Sequence, residues 1–155
     1  MKKILFVCLG NICRSAAAEA VMKAVVEKAG RKDDFFIDSA GIISVHKGEP
    51  ADNRMRKHAA KRGYAVTSIS RPVNYRDFEE FDILVGMDNT NIDDLMDKAP
   101  SIEAQKKIVK MTDFCEHSQY DYVPDPYYGG EDGFELVLDI LEDACAGLLK
   151  KVDQL

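Results

Sequence analysis

Cys8 and Arg14 stand with five residues between them in the run Val7-Cys8-Leu9-Gly10-Asn11-Ile12-Cys13-Arg14-Ser15. A thiol set near a helix N-terminus and a cation ionises readily and becomes a nucleophile. A guanidinium presents a planar fork that grips two oxygens of one phosphate. Both ends of a seven-residue stretch reach one anion only if the stretch curls back on itself. Gly10 and Asn11 are the residues in it best able to take the positive φ such a curl requires. The backbone N–H groups of residues 9–15 then form the anion nest of a phosphate-binding loop. Ser15 is placed to donate a hydrogen bond to the Cys8 sulfur and to improve it as a leaving group. A bare Cys-x5-Arg pattern recurs by chance, so its weight depends on the elements around it.

Those elements are the right ones. Residues 4–8 are a continuous apolar run, as expected of a central parallel strand. Residues 15–28 turn helical, with Ala17, Val21, Ala24, Val25 and Lys28 on one stripe, Glu19 and Lys23 at i,i+4 spacing, and Gly30 as the stop. The loop therefore joins the carboxyl end of a strand to the start of a helix, where open parallel sheets bind ligands. Further strands are expected at residues 35–37, 82–85 and 108–109. Helices are expected over 51–61, closed by Gly63, and over 89–98, closed by Pro100. A final helix over 132–152 carries Phe134, Leu138, Leu141, Cys145 and Leu148 on its buried face. The polar stretch 112–130 has little regular structure, and a loop this long in a small domain is usually functional. The alternation predicts an α/β fold: a four-stranded parallel sheet with helices on both faces, in one domain over 1–155.

Composition narrows the function. The chain has 155 residues and a formal net charge of -6, which repels nucleic acid and anionic membranes in bulk. A phosphorylated partner must be attracted by a local positive site. The apolar start after Lys2-Lys3 is read as a buried strand rather than a signal peptide, which gives a cytoplasmic protein. The four cysteines, Cys8, Cys13, Cys115 and Cys145, form no Cys-x-x-Cys and no secreted disulfide framework. The histidines, His46, His58 and His117, lie in polar surroundings and read as surface residues. No metal or cofactor is called for.

With these residues in place, the chain resembles the low-molecular-weight protein tyrosine phosphatase family. The likeness is nearly word for word over residues 7–15. It continues through Asp38-Ser39-Ala40-Gly41, Gly48 with Pro50 and Asp52, Asp77-Phe78 with Phe81-Asp82, Met87-Asp88 with Asn91, and Asp125-Pro126-Tyr127-Tyr128. The resemblance implies hydrolysis of phosphotyrosine, on a protein or a small aryl phosphate, through a phosphocysteine on Cys8. Arg14 and the loop amides would stabilise the phosphoryl group, and Asp125 would serve as general acid and then base. On its own, Pro124-Asp125-Pro126 reads first as a turn; the acid role comes with the resemblance. So do supporting hydrogen bonds from Asn11, Ser15 and Ser39, rim tyrosines at Tyr127 and Tyr128, and a Cys13 able to pair with Cys8 on oxidation. A monomer or weak dimer is expected. Cys115 and Cys145 are assigned to core packing.

Two departures stand out. Ala16 follows Ser15 where the family usually has proline, a small change at a helix start. Val45, followed by His46, occupies the place of an aromatic that stacks on the substrate ring, so one side of the substrate wall is thinner. Three rival readings use the same scaffold. Protein arginine phosphatases tend to carry threonine where this chain has Ile12, whose side chain cannot orient water. Thioredoxin-coupled arsenate reductases need two further cysteines near the third strand, and residues 82–98 contain none. Non-hydrolytic phosphocysteine carriers lack the arginine and the Asp-Pro loop.

Overall fold

The computed structural model describes residues 1–155, apart from the side chain of Tyr128. The fold grows from the first strand. β1 (Lys2–Cys8) pairs in parallel with β2 (Phe35–Gly41) on one side and β3 (Ile83–Gly86) on the other; β4 (Ile108–Lys110) adds to β3. The strand order is β2-β1-β3-β4. The chain thus leaves β1 in one direction and returns on its other side. This reversal opens a crevice outside the carboxyl end of β1, the usual ligand position in such sheets.

Both faces of the sheet are covered, which is why β1 is apolar from Ile4 onward. Ile4, Phe6 and Cys8 face one core with Val21, Met22, Leu138, Leu141 and Leu148. Those residues come from α1 (Arg14–Lys28) and α6 (Glu131–Lys151), and α2 (Asn53–Lys61) adds Met55 and Ala59. Leu5 and Val7 face the other core with Phe78 and Leu95, from α3 (Asp77–Glu80) and α4 (Asn89–Lys98), and Ala104 from α5 (Ile102–Gln105). The expected α/β architecture of four parallel strands is observed. Among the described residues, no helix is long and apolar enough to cross a membrane.

Several details differ from the sequence reading. Helix α2 begins at Asn53 rather than at residue 51, because Asp52 caps it by accepting from the amides of Arg54 and Met55. The stripe assigned to α1 is incorrect. Its first nine residues, 14–22, are all buried, while Ala24 and Val25 are half-buried and Lys28 is exposed. The run Ala16-Ala17-Ala18 lets this half of the helix sit close between sheet and α6. His58 is buried rather than superficial: its ring stacks on Phe134 at 5.5 Å and Nδ1 bonds Glu135. The five residues placed on the buried face of α6 are all fully buried.

Candidate active site

The loop from Cys8 to Arg14 is held by its carbonyls. Ile42 N donates to Cys8 O at 2.9 Å, Ile43 N to Leu9 O at 3.0 Å and Asp52 N to Ile12 O at 2.8 Å. Ser70 Oγ donates to Gly10 O at 2.9 Å. With these carbonyls turned outward, the amides turn to the inside of the curl. Among the described residues, none of the amides of residues 9–13 donates to a protein acceptor. This is the arrangement of an anion nest above a helix N-terminus.

Asn11 takes the one positive φ in the loop, 58°. Gly10 does not, and its value is room: a Cβ there would lie 3.1 Å from His46 Cδ2. Gly41 at the end of β2 is equally confined, since a Cβ there would meet Leu9 O and the Gly10 carbonyl carbon at 3.0 Å. The Asn11 side chain holds the loop from within. Its Nδ2 donates to Ser15 Oγ at 2.7 Å, and its Oδ1 accepts from Arg71 N at 3.2 Å. Ser15 Oγ lies 3.0 Å from Cys8 Sγ and 3.4 Å from Ala40 O. With Asn11 donating to it, the hydroxyl has one hydrogen to give, and Cys8 Sγ and Ala40 O are the acceptors within reach. Ser39 reaches the loop only indirectly, donating to Glu19 Oε1 on α1 at 2.7 Å.

Arg14 is buried, and its guanidinium is fixed on one side. Nη1 donates to Asp88 Oδ2 at 2.7 Å and to Val123 O at 3.0 Å. Nη2 lies 3.6 Å from Asp125 Oδ2. Burial works to lower the Arg14 pKa, but Cys8, the Asp88 bond and the charge of Asp125 more than offset it, so its net direction is upward. The guanidinium stays charged. Asp125 sits at the start of the turn Pro126–Tyr128, where its Oδ1 accepts from Tyr127 N at 3.0 Å. Burial, then the charge of Asp52, push the Cys13 thiol far above the ordinary thiol range. A thiol held protonated in this way is a poor nucleophile.

These groups line one cavity of about 350 Å³. Its lining is Cys8, Leu9, Gly10, Ile12, Cys13 and Arg14 of the loop, with Asp125 and Tyr127 and with Ile43, Val45 and His46, and the rings of His46 and Tyr127 lie 6.2 Å apart. Val45, lining this cavity, is 73% exposed. Tyr128, also expected in the wall, has its side chain outside the described residues.

Sequence reasoning missed Asp88 and Val123 as partners of Arg14, and Ile43 as part of the wall. It also missed Arg54, which bonds Asp52 twice, donates to Tyr127 O at 3.1 Å and stacks on the Tyr127 ring. A signal for Asp88 was present. An aspartate just past the end of β3 lies on the same edge as Cys8, because β3 pairs with β1.

A parallel α/β sheet carrying a cysteine and an arginine in one anion-binding loop defines a narrow class of phosphate-handling proteins. A family model described as low molecular weight phosphotyrosine protein phosphatase matches residues 3–155, and the chain belongs to that family. A protein tyrosine phosphatase from Entamoeba histolytica, solved with Hepes in its active site, superposes with a TM-score of 0.97 at 53% identity, covering 99% of this chain and 98% of that one. YfkJ from Bacillus subtilis superposes with a TM-score of 0.91 at 34% identity, covering 99% and 96%. The low molecular weight phosphotyrosine protein phosphatase 1 of Drosophila melanogaster is 39% identical over 152 residues, 97% of each chain.

Proposed function

We propose that this protein hydrolyses phosphotyrosine in phosphoproteins through a phosphocysteine on Cys8. The observation that carries the reading is a convergence: Cys8, Arg14 and Asp125 border one cavity beneath inward-turned amides. The Cys8 thiolate attacks phosphorus, forming the S–P bond as the P–O bond to the phenol breaks. Asp125 delivers its proton to the departing phenolate oxygen. The loop amides and the fixed guanidinium of Arg14 meet the charge spread over the three equatorial oxygens, the largest electrostatic contribution expected here. Water then attacks phosphorus, Asp125 takes its proton, and the S–P bond breaks. The Ser15 hydroxyl supports this second step by donating to the sulfur as it regains charge.

The apolar Ile12 side chain, at the base of the cavity, favours an aryl phosphate over a phosphoramidate. It offers no hydroxyl to orient water beside a departing guanidine. Cys13 lines the same cavity as Cys8, which supports a Cys8–Cys13 disulfide as a shelter from further oxidation.

The test is turnover of two peptides, one bearing phosphotyrosine and one phosphoarginine. The expected result is phosphate release from phosphotyrosine, abolished by Cys8→Ser and slowed about a hundredfold or more by Asp125→Ala. Preference for phosphoarginine would overturn the substrate assignment. Phosphate binding without turnover of either would overturn the hydrolytic one.

A further inference from the structure

Beside the active-site cavity lies a second pocket, of about 490 Å³, lined by Asn53, Arg54, Arg56, Lys57, His58 and Glu131. Three cations face one carboxylate there, on a chain whose net charge is -6. The cations are not equivalent. Arg54 is neutralised by Asp52. Arg56 is held by neutral acceptors, Nε on Ala51 O at 3.0 Å and Nη2 on Asn53 Oδ1 at 2.9 Å. Its guanidinium is thus oriented with its charge uncompensated. Among the described residues, neither Arg56 nor Lys57 has a carboxylate partner.

The pocket is joined to the active site by Arg54. Its guanidinium carbon lies 5.5 Å from the Tyr127 ring centroid and 4.9 Å from that of Phe134. Tyr127 lines the catalytic cavity, and the Phe134 ring also stacks on His58. The contact of Arg54 with Tyr127 therefore joins the linings of the two concavities. A peptide with its phosphorylated ring in the first must run its neighbouring residues past this contact.

We infer that this pocket is a substrate subsite that binds carboxylate side chains flanking the phosphotyrosine, through Arg56 and Lys57. The inference rests on the phosphatase reading above and adds a sequence preference to it. Exposed charge pairs are individually weak and screened by salt. Two such contacts give a preference of about three- to tenfold, and it shrinks as ionic strength rises.

The experiment compares kcat/KM on three phosphotyrosine peptides: one with neutral flanks, one with two glutamates before the phosphotyrosine and one with two after it. The enzymes are wild type, the double variant Arg56→Gln/Lys57→Gln, and Lys57→Glu. Para-nitrophenyl phosphate, which has no flanking residues, is the reference substrate. The expected result is a preference of about three- to tenfold for one acidic peptide at low salt. The double variant and Lys57→Glu, which leave the same net charge at the two positions, both lose that preference, and para-nitrophenyl phosphate turnover stays within about twofold throughout. Equal acidic-to-neutral ratios in wild type and both variants, with turnover intact, would overturn the subsite alone. No turnover of any phosphotyrosine substrate would overturn the phosphatase reading and the subsite with it.

Discussion

Asp88→Asn is the substitution that most directly tests how Arg14 is aimed. The two carboxylate oxygens of Asp88 do separate work. Oδ1 accepts from Asn91 N at 2.8 Å and caps α4, while Oδ2 accepts from Arg14 Nη1 at 2.7 Å. Asparagine has one oxygen and one amide nitrogen, so it can serve only one of these partners. Asparagine caps a helix as well as aspartate, so the oxygen goes to Asn91 and the NH2 group is left facing the guanidinium. Breaking a fully buried ion pair costs about 3–5 kcal/mol. Arg14 is 3% exposed and Asp88 26%, and Arg14 keeps its bond to Val123 O. Water at Asp88 and the retained carbonyl reduce the cost to about 2 kcal/mol of stability; a misaimed fork that forfeits a similar energy in the transition state loses roughly thirtyfold in kcat/KM. Removing a negative charge near an anionic substrate acts in the opposite direction. That gain, from the unmasked charge of Arg14, is screened by the water that reaches Asp88 and offsets only part of the loss. The assay is kcat/KM on a phosphotyrosine peptide with inhibition by inorganic phosphate, alongside thermal denaturation. Activity and phosphate affinity should fall together, and Tm should fall by several degrees, because the broken pair also belongs to the fold. A variant within threefold of wild type on both would refute the idea that Asp88 aims the fork.

Three further outcomes follow from the geometry. In Gly147→Ala the new Cβ would lie 1.8 Å from Phe114 O, a backbone atom that cannot step aside, so a loss of about 3 kcal/mol or more is expected in urea denaturation. Asn11→Ala removes both of the loop's internal bonds and leaves a Cβ residue at φ 58°; catalysis should fall well beyond the stability loss of about 1–3 kcal/mol, whereas equal stability with full activity would sink the role given to Asn11. Burial, then the hydrogen bond it donates to Glu142, raise the Tyr64 phenol from 10.0 to about 12. Because the folded value is the higher, the associated stability is fully present below pH 10 and is lost as pH rises toward 12. Tyr64→Phe should flatten the alkaline decline of Tm in that window.

The parts of the fold legible in the sequence were those whose neighbours do not matter. The strand over residues 4–8 is apolar because both of its sides are covered, and any sheet with helices on both faces would write it that way. The loop from Cys8 to Arg14 was legible because its chemistry is local. The α1 stripe misled because residues 14–22 are enclosed on every side, so periodicity carries no information there; the alanine run was the better signal. His58 misled because its polar sequence neighbours are not its spatial ones, which are Phe134 and Glu135. The partners of Arg14 were hidden for the same reason. Asp88 and Val123 lie 74 and 109 positions away, and only the strand order brings them near. The four-residue helices α3 and α5 are too short to show a period.

The long stretch between β4 and α6 is pinned in its middle. Val123 N donates to Met87 O at 2.8 Å, and Val123 O accepts from Arg14. That fully buried residue splits the stretch into two spans that need not share a fate. The span before it is anchored to α6, where Asp143 accepts the amides of residues 116–118. The span after it carries Asp125. Val123 therefore works as a fulcrum: residues 119–122, with the exposed Tyr120 and Tyr122, can accept insertions or exchanged segments without the change in length reaching Asp125. An equal insertion at residue 124 would displace Asp125 directly. The enzyme thus offers a place where its outer surface can be rewritten while its chemistry stays in register.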